Sequence, residues 1–166
     1  MIAQSILPEF EREFATLRSI LERVPEDKPD YKPHEKSMPL AKLAGHLAEI
    51  PAWMEVSVNH DELDFSKGDY TPYVMTTRKD LLEKFDANVA QAKSVLAGAS
   101  DQTMMSNWSM KTGDQVHMTM PKVAVVRGFV MNHMIHHRAQ LGVYLRLNDI
   151  ALPSTYGPTA DESPMG

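Results

Sequence analysis

The sequence contains no cysteine. That excludes a disulfide framework, thiolate metal ligands and a cysteine nucleophile together. No stretch approaches the run of about 18 apolar residues that a membrane helix needs, so no membrane partner is expected. Lys and Arg number 17 against 22 Asp and Glu, for a formal net charge of −5, and they form no dense cluster. Without a basic stripe to meet phosphates, nucleic acid is not an expected partner either. The opening MIAQSILPEFERE turns acidic early and lacks the basic start and apolar core of a signal peptide, so a cytoplasmic location is expected. Internal repeats and alternating strand and helix patterns are also missing.

What is present is a chain of 166 residues, 43% of them hydrophobic. That length suits one domain spanning residues 1–166, with enough chain to bury a core. Seven histidines and twelve methionines stand out.

Four segments carry helical periodicity. Ile6, Phe10, Phe14, Leu17, Leu21 and Val24 recur at steps of three and four, one stripe along a helix that Pro25 stops. A second helix is predicted from Ser37 or Met38, with Pro39 in its first turn. Leu40, Leu43, Leu47, Ile50 and Met54 mark its apolar face, and Pro51 predicts a kink or break about one turn upstream of itself. Residues 59–76 read as a long loop. Thr77 and Asp80 form a start signal for a third helix, striped by Leu81, Phe85, Val89, Ala92 and Leu96 and closing near Gly98.

Residues 99–119 show no clean period and are compatible with a hairpin or an irregular loop. The last helix is predicted from Thr119 to about Leu147, with Pro121 in its first turn and Asn148 as a stop. Its broad face carries Val126, Phe129, Val130, His133, His137, Leu141 and Tyr144. From about residue 149 the tail, rich in proline and glycine, reads as irregular. Four helices with long connections predict an all-α four-helix bundle, with no requirement for a simple up-down-up-down order.

His133 and His137 lie one turn apart on this apolar face, close enough to chelate one divalent cation. The same spacing also fits two rings that hydrogen-bond to backbone or to each other, and the pattern alone does not choose. His136 shares the one-turn relation with His133, but it falls about 100° from position 137, so it reads as a rim residue. His46, in LAGHLAEIPAW, sits on the second helix's apolar stripe and is the best third ligand. His34, His60 and His117 fall in loops and read as solvated. Glu49 is the nearest candidate for a general base, though an exposed helix carboxylate explains it as well. Gln140 and Asn132 could orient a ligand ring. Trp53 and Tyr144 fit pocket walls or ordinary core, and the methionines read as packing.

At these residues the chain resembles the DinB/YfiT-like family. The likeness rests on His46 within LAGHLAEIPAW and on His133, His137 and Arg138 to Leu141 within NHMIHHRAQLGVYLRLNDIALPSTYGP. Ala139 stands where the family often has glycine. The resemblance implies an up-down-down-up four-helix bundle, usually dimeric, with a divalent metal on three histidines. The implied metal is a transition ion, zinc or nickel first and iron or copper next. Its implied chemistry is that of a metal-dependent transferase using a low-molecular-weight thiol on a small-molecule substrate. A metal-dependent hydrolase and a non-enzymatic metal-binding, stress-response homodimer are the alternatives.

Overall fold

The structure is a computed structural model that describes residues 1–68 and 70–163. The last three residues of the expected irregular tail, 164–166, lie outside the described residues. Helix α1 spans Ile2–Leu21 and buries Ile6, Phe10, Phe14, Leu17 and Leu21, the stripe that its periodicity predicts. Val24 is buried beyond the helix end. Helix α2 spans Leu40–Glu49, starting later than Ser37, because Pro39 caps the helix from outside its first turn. Pro51 sits in a 3-10 turn, Ile50–Ala52, and helix α3 continues as Trp53–Asn59. The break therefore falls at the proline itself and not a full turn before it. A 3-10 turn accommodates a residue that lacks an N–H and crowds the preceding turn.

Helix α4, Arg78–Gly98, opens as expected, with the Thr77 hydroxyl accepting from the Asp80 N–H at 3.1 Å. Its buried residues are Leu81, Phe85, Ala92 and Leu96. A short helix α5, Asp101–Met105, follows.

The all-α expectation is corrected by a three-stranded sheet. Strand β1 is Glu62–Asp64, β2 is Asn107–Thr112 and β3 is Gln115–Pro121, in the order β1-β2-β3. β1 runs parallel to β2, while β2 and β3 form an antiparallel hairpin in which Trp108 faces Met120 and Met110 faces Met118. Gly113, at φ 58°, supplies the left-handed conformation of the two-residue turn. Trp108 anchors the sheet: its ring is buried and its Nε1 donates to the Val56 carbonyl on α3 at 3.2 Å. β1 lies within the stretch expected to be loop. β3 takes residues 119–121, which were expected to open the last helix, so that helix begins later.

The last helical run begins with α6, Lys122–Val125, widens through a π-helical stretch at Val126–Asn132, and continues as α7, His133–Arg146. The left-handed stop falls at Asp149, not Asn148. The Asn148 amide instead donates to the Tyr144 carbonyl at 2.8 Å.

Helices α1, α4, α2 and α7 contact one another in a ring, α1 against α4 and α7, and α2 against the same two. Phe14 stacks on Phe85 across α1 and α4, with ring centroids 6.3 Å apart. Asn88 on α4 donates to the Ala48 carbonyl on α2 at 2.8 Å, and the Tyr144 hydroxyl on α7 donates to the Met38 carbonyl at 2.9 Å. Met54, Met75, Met104, Met131 and Met134 fill the core between them, as the packing reading expects. No helix among the described residues is long and apolar enough to cross a membrane.

Candidate metal centre

The α2 and α7 stripes that face each other each carry histidine, so burying the stripes brings the imidazoles together. His46 from α2 and His133 and His137 from α7 place one ring nitrogen each within 4.8 Å of the others. His133 Nε2 is 3.2 Å from His46 Nε2 and 2.9 Å from His137 Nε2. The three ring centroids are 4.6 to 5.0 Å apart, and all three rings are half-buried.

Neighbouring groups decide what those nitrogens can do. His133 Nδ1 lies 3.3 Å from the Phe129 carbonyl oxygen. A backbone carbonyl only accepts, so Nδ1 carries the proton and the Nε2 lone pair is left bare. His137 Nδ1 lies 2.7 Å from Gln140 Oε1, which assigns the same tautomer to that ring. Two bare lone pairs then face each other at 2.9 Å. That contact is repulsive unless a cation sits between them.

Protonation is a poor answer. Burial, reinforced by the charges of His137 and His133, lowers the His46 pKa from its ordinary 6.5 to about 4. Burial also lowers His133 and His137, opposed in each case by the hydrogen bond at Nδ1. Nitrogens both held at roughly 2.0–2.1 Å from one cation stand about 2.9–3.4 Å apart at tetrahedral to right-angled geometry. The two observed Nε2 separations fit that range. The residues present therefore suit a divalent metal.

The π-helical stretch ends immediately before His133, and π turns recur at functional sites. It shifts the register of the last helical run without leaving a mark in hydrophobic spacing. A second support is Gly45, beside His46. A Cβ there would overlap the Tyr73 carbonyl oxygen and stand 3.2 Å from the Met75 nitrogen. Glycine thus lets the 73–75 segment close over α2, where the Met75 N–H donates to the Ala41 carbonyl at 3.1 Å.

The remaining candidates are placed as follows. His136 is exposed, with its ring 4.9 Å from that of His137, as a rim residue would be. His34, His60 and His117 lie outside the cluster, beside Lys36, Glu55 and Thr112 respectively. Gln140 does orient a ring. Asn132 is exposed, and Tyr144 belongs to the core. Glu49 accepts from the Tyr70 hydroxyl at 2.9 Å and from the Tyr73 N–H at 3.1 Å, both through Oε2.

Periodicity alone does not disclose the buried pair that braces α7 from behind. Arg138 and Glu13 are both 3% exposed, and Arg138 Nη2 lies 2.8 Å from Glu13 Oε2. Tyr156, from the tail, donates to the same oxygen at 2.7 Å and lies over the guanidinium. A charged residue at one turn spacing from buried Leu141 and Met134 was the available signal.

The sequence model of the DinB family matches residues 2–164. Among solved structures, a DinB-like protein (YjoA) from Bacillus subtilis superposes with a TM-score of 0.70 at 19% identity, covering 91% of this chain and 96% of that one. A DinB-like protein from Bacillus cereus ATCC 10987 gives 0.69 at 18% identity, covering 92% and 97%. At those identities the likeness speaks to the fold. No functionally curated protein matches the chain.

Proposed function

The chain belongs to the DinB family, and from that membership together with the three-imidazole cluster we propose that it is a divalent-metal-dependent enzyme acting on a small molecule. The observation that carries this reading is the pair of lone pairs held 2.9 Å apart on His133 and His137, with His46 completing the set. These three residues would hold the metal, zinc or nickel in the first place, although neutral imidazole suits iron and copper as well. Three protein donors leave a coordination position free, as catalytic sites do and structural sites do not. When bound, the metal supplies a Lewis acid that lowers the pKa of a thiol or water in that position. The chain itself keeps His46 neutral by burial and points His133 and His137 through Phe129 and Gln140.

Within that class the reading is a transferase that uses a low-molecular-weight thiol. The chain has no cysteine, so the thiolate comes from a cosubstrate. A hydrolase needs a general base, and Glu49, the carboxylate one turn from His46, is engaged by Tyr70 and Tyr73. The ring of contacts among α1, α4, α2 and α7 supports a four-helix bundle, and the family resemblance supports its up-down-down-up order. The family resemblance supports a cytoplasmic homodimer.

The test is to load purified protein with zinc or nickel and supply a small thiol with an electrophile. Thiol consumption that His133→Ala abolishes is the expected result. Ester or amide turnover without thiol would establish a hydrolase instead. Bound metal with neither activity would establish a non-enzymatic metal-binding protein. Protein purified without an affinity resin that contains no stoichiometric transition metal would overturn the metal reading itself.

A further inference from the structure

A cavity of about 330 Å³ opens where the end of α2 and α3 meet α4 and the chain around β1. Its volume is within the range of small-molecule sites, roughly 300–1,000 Å³. Trp53, Val56, Leu63, Phe65 and Tyr70 make its walls apolar and largely aromatic. Phe65 and Tyr70 are 52% and 60% exposed, a large aromatic surface left to water at the rim. None of the three clustered imidazoles lines this cavity, although Glu49 follows His46 by only three residues.

Two opposite charges share the chamber without meeting. Lys84 makes no ion pair with a described residue, and its ammonium lies 5.0 Å from the centre of the Tyr73 ring. The Glu49 carboxylate accepts from two neutral donors through Oε2 and has no cationic partner among the described residues. The lining's side-chain amide and its second carboxylate are already engaged. Asn88 donates to the Ala48 carbonyl, and Asp64 accepts from Ser66 and Gly113 beside Lys67 and Lys111. Half-buried charges with no ion-pair partner among the described residues favour a ligand that brings the complementary ones.

We propose that this cavity binds a small zwitterion with an apolar body, an aromatic or branched amino acid being the simplest case. Its carboxylate meets Lys84, its ammonium meets Glu49, and its side chain lies against Trp53 and Phe65. An anion alone would leave Glu49 without an opposite charge, and a cation alone would leave Lys84 so. The site stands apart from the metal reading and needs no metal to be tested.

The experiment is calorimetric titration of chelator-treated, full-length protein with L-phenylalanine. L-phenylalaninamide, which lacks the carboxylate, and N-acetyl-L-phenylalanine, which lacks the ammonium, are the comparison probes. Saturable binding of phenylalanine is expected, with each blocked analogue about tenfold weaker, the effect of one charge-assisted hydrogen bond. Lys84→Met should bring phenylalanine down to the amide's affinity while leaving the amide unchanged. Glu49→Gln should do the same relative to the acetylated probe, and it keeps an oxygen to accept from Tyr70 and Tyr73. Melting temperatures of both variants confirm that the fold is intact. No saturable binding of phenylalanine, equal affinity for all three probes, or affinities that neither substitution moves would each overturn the proposal.

Discussion

Gln140 sets the tautomer of His137. Its Oε1 lies 2.7 Å from His137 Nδ1, which commits that nitrogen as a donor and turns the opposite lone pair toward His133. The two residues are three apart on α7, so one helical turn builds both the candidate ligand and the group that aims it. Partners of this kind typically carry 10- to 100-fold in metal affinity. Gln140→Ala is expected to weaken zinc binding by about that factor while Gln140→Glu retains it, as read by competition with a chromophoric chelator. Equal affinity in all three proteins would show that the Nδ1 bond orients nothing.

The pH dependence of the metal-free protein has a definite sign. In the folded chain His46 stays neutral down to about 4, whereas the unfolded chain takes up its proton at the ordinary 6.5. Between those values the unfolded state binds more protons, so stability falls as pH falls through that window and is unaffected above it. His133 and His137 shift in the same direction. The melting temperature of chelator-treated protein should therefore drop from pH 6.5 toward 4. His46→Gln should flatten that slope, and an unchanged slope would contradict it.

Gly45→Ala tests the close approach of the 73–75 segment to α2. Alanine gains helix propensity of up to about 1 kcal/mol. Its Cβ, however, would overlap the Tyr73 carbonyl oxygen, and that backbone cannot swing aside as a flexible side chain can. Overpacking of this kind costs about 1–3 kcal/mol, so a net loss of stability in urea is expected. Zinc affinity should fall with it, because His46 is the next residue.

Arg138→Met removes the buried cationic partner of Glu13, leaving the Tyr156 hydroxyl on one oxygen and the exposed Arg12 guanidinium 3.7 Å from the other. Stranding a buried charge costs about 3–5 kcal/mol. The double variant Glu13→Gln with Arg138→Met should recover much of that loss, since neither charge then needs a partner. Urea denaturation of the single and double variants measures both. If the two single variants are additive in the double, the pair is not coupled.

The helices and the candidate ligands were legible because both are written in spacing. Ile6 to Leu21, Leu40 to Met54 and Leu81 to Leu96 repeat at three and four, and each stripe became a buried face. The histidines sat on two such faces, and faces that must be buried meet. The sheet was harder to read. Trp108 and Met110 alternate toward one face, as do Met118 and Met120, but methionine is not a strand-favouring residue and the strands are short. β1 is three residues long and lies next to β2 only because the chain returns after the 42 residues 65–106. The late start of the last helix has a nearer cause: pairing with β2 across a two-residue turn claims residues up to Pro121 for the hairpin.

By itself the sequence determined which chemistry its side chains could bring: no cysteine thiolate, and imidazoles placed on apolar helix stripes. Periodicity carries that information because each helix must bury its own face, whatever it packs against. Only the tertiary structure decided that His46 faces His133, that Phe129 and Gln140 bare the lone pairs, and that Glu49 is turned to Tyr70 and Tyr73. It alone placed Lys84 and Glu49 in one cavity. Those relations join residues far apart in the chain at separations of a few ångströms, and they exist only once the helices have chosen their neighbours.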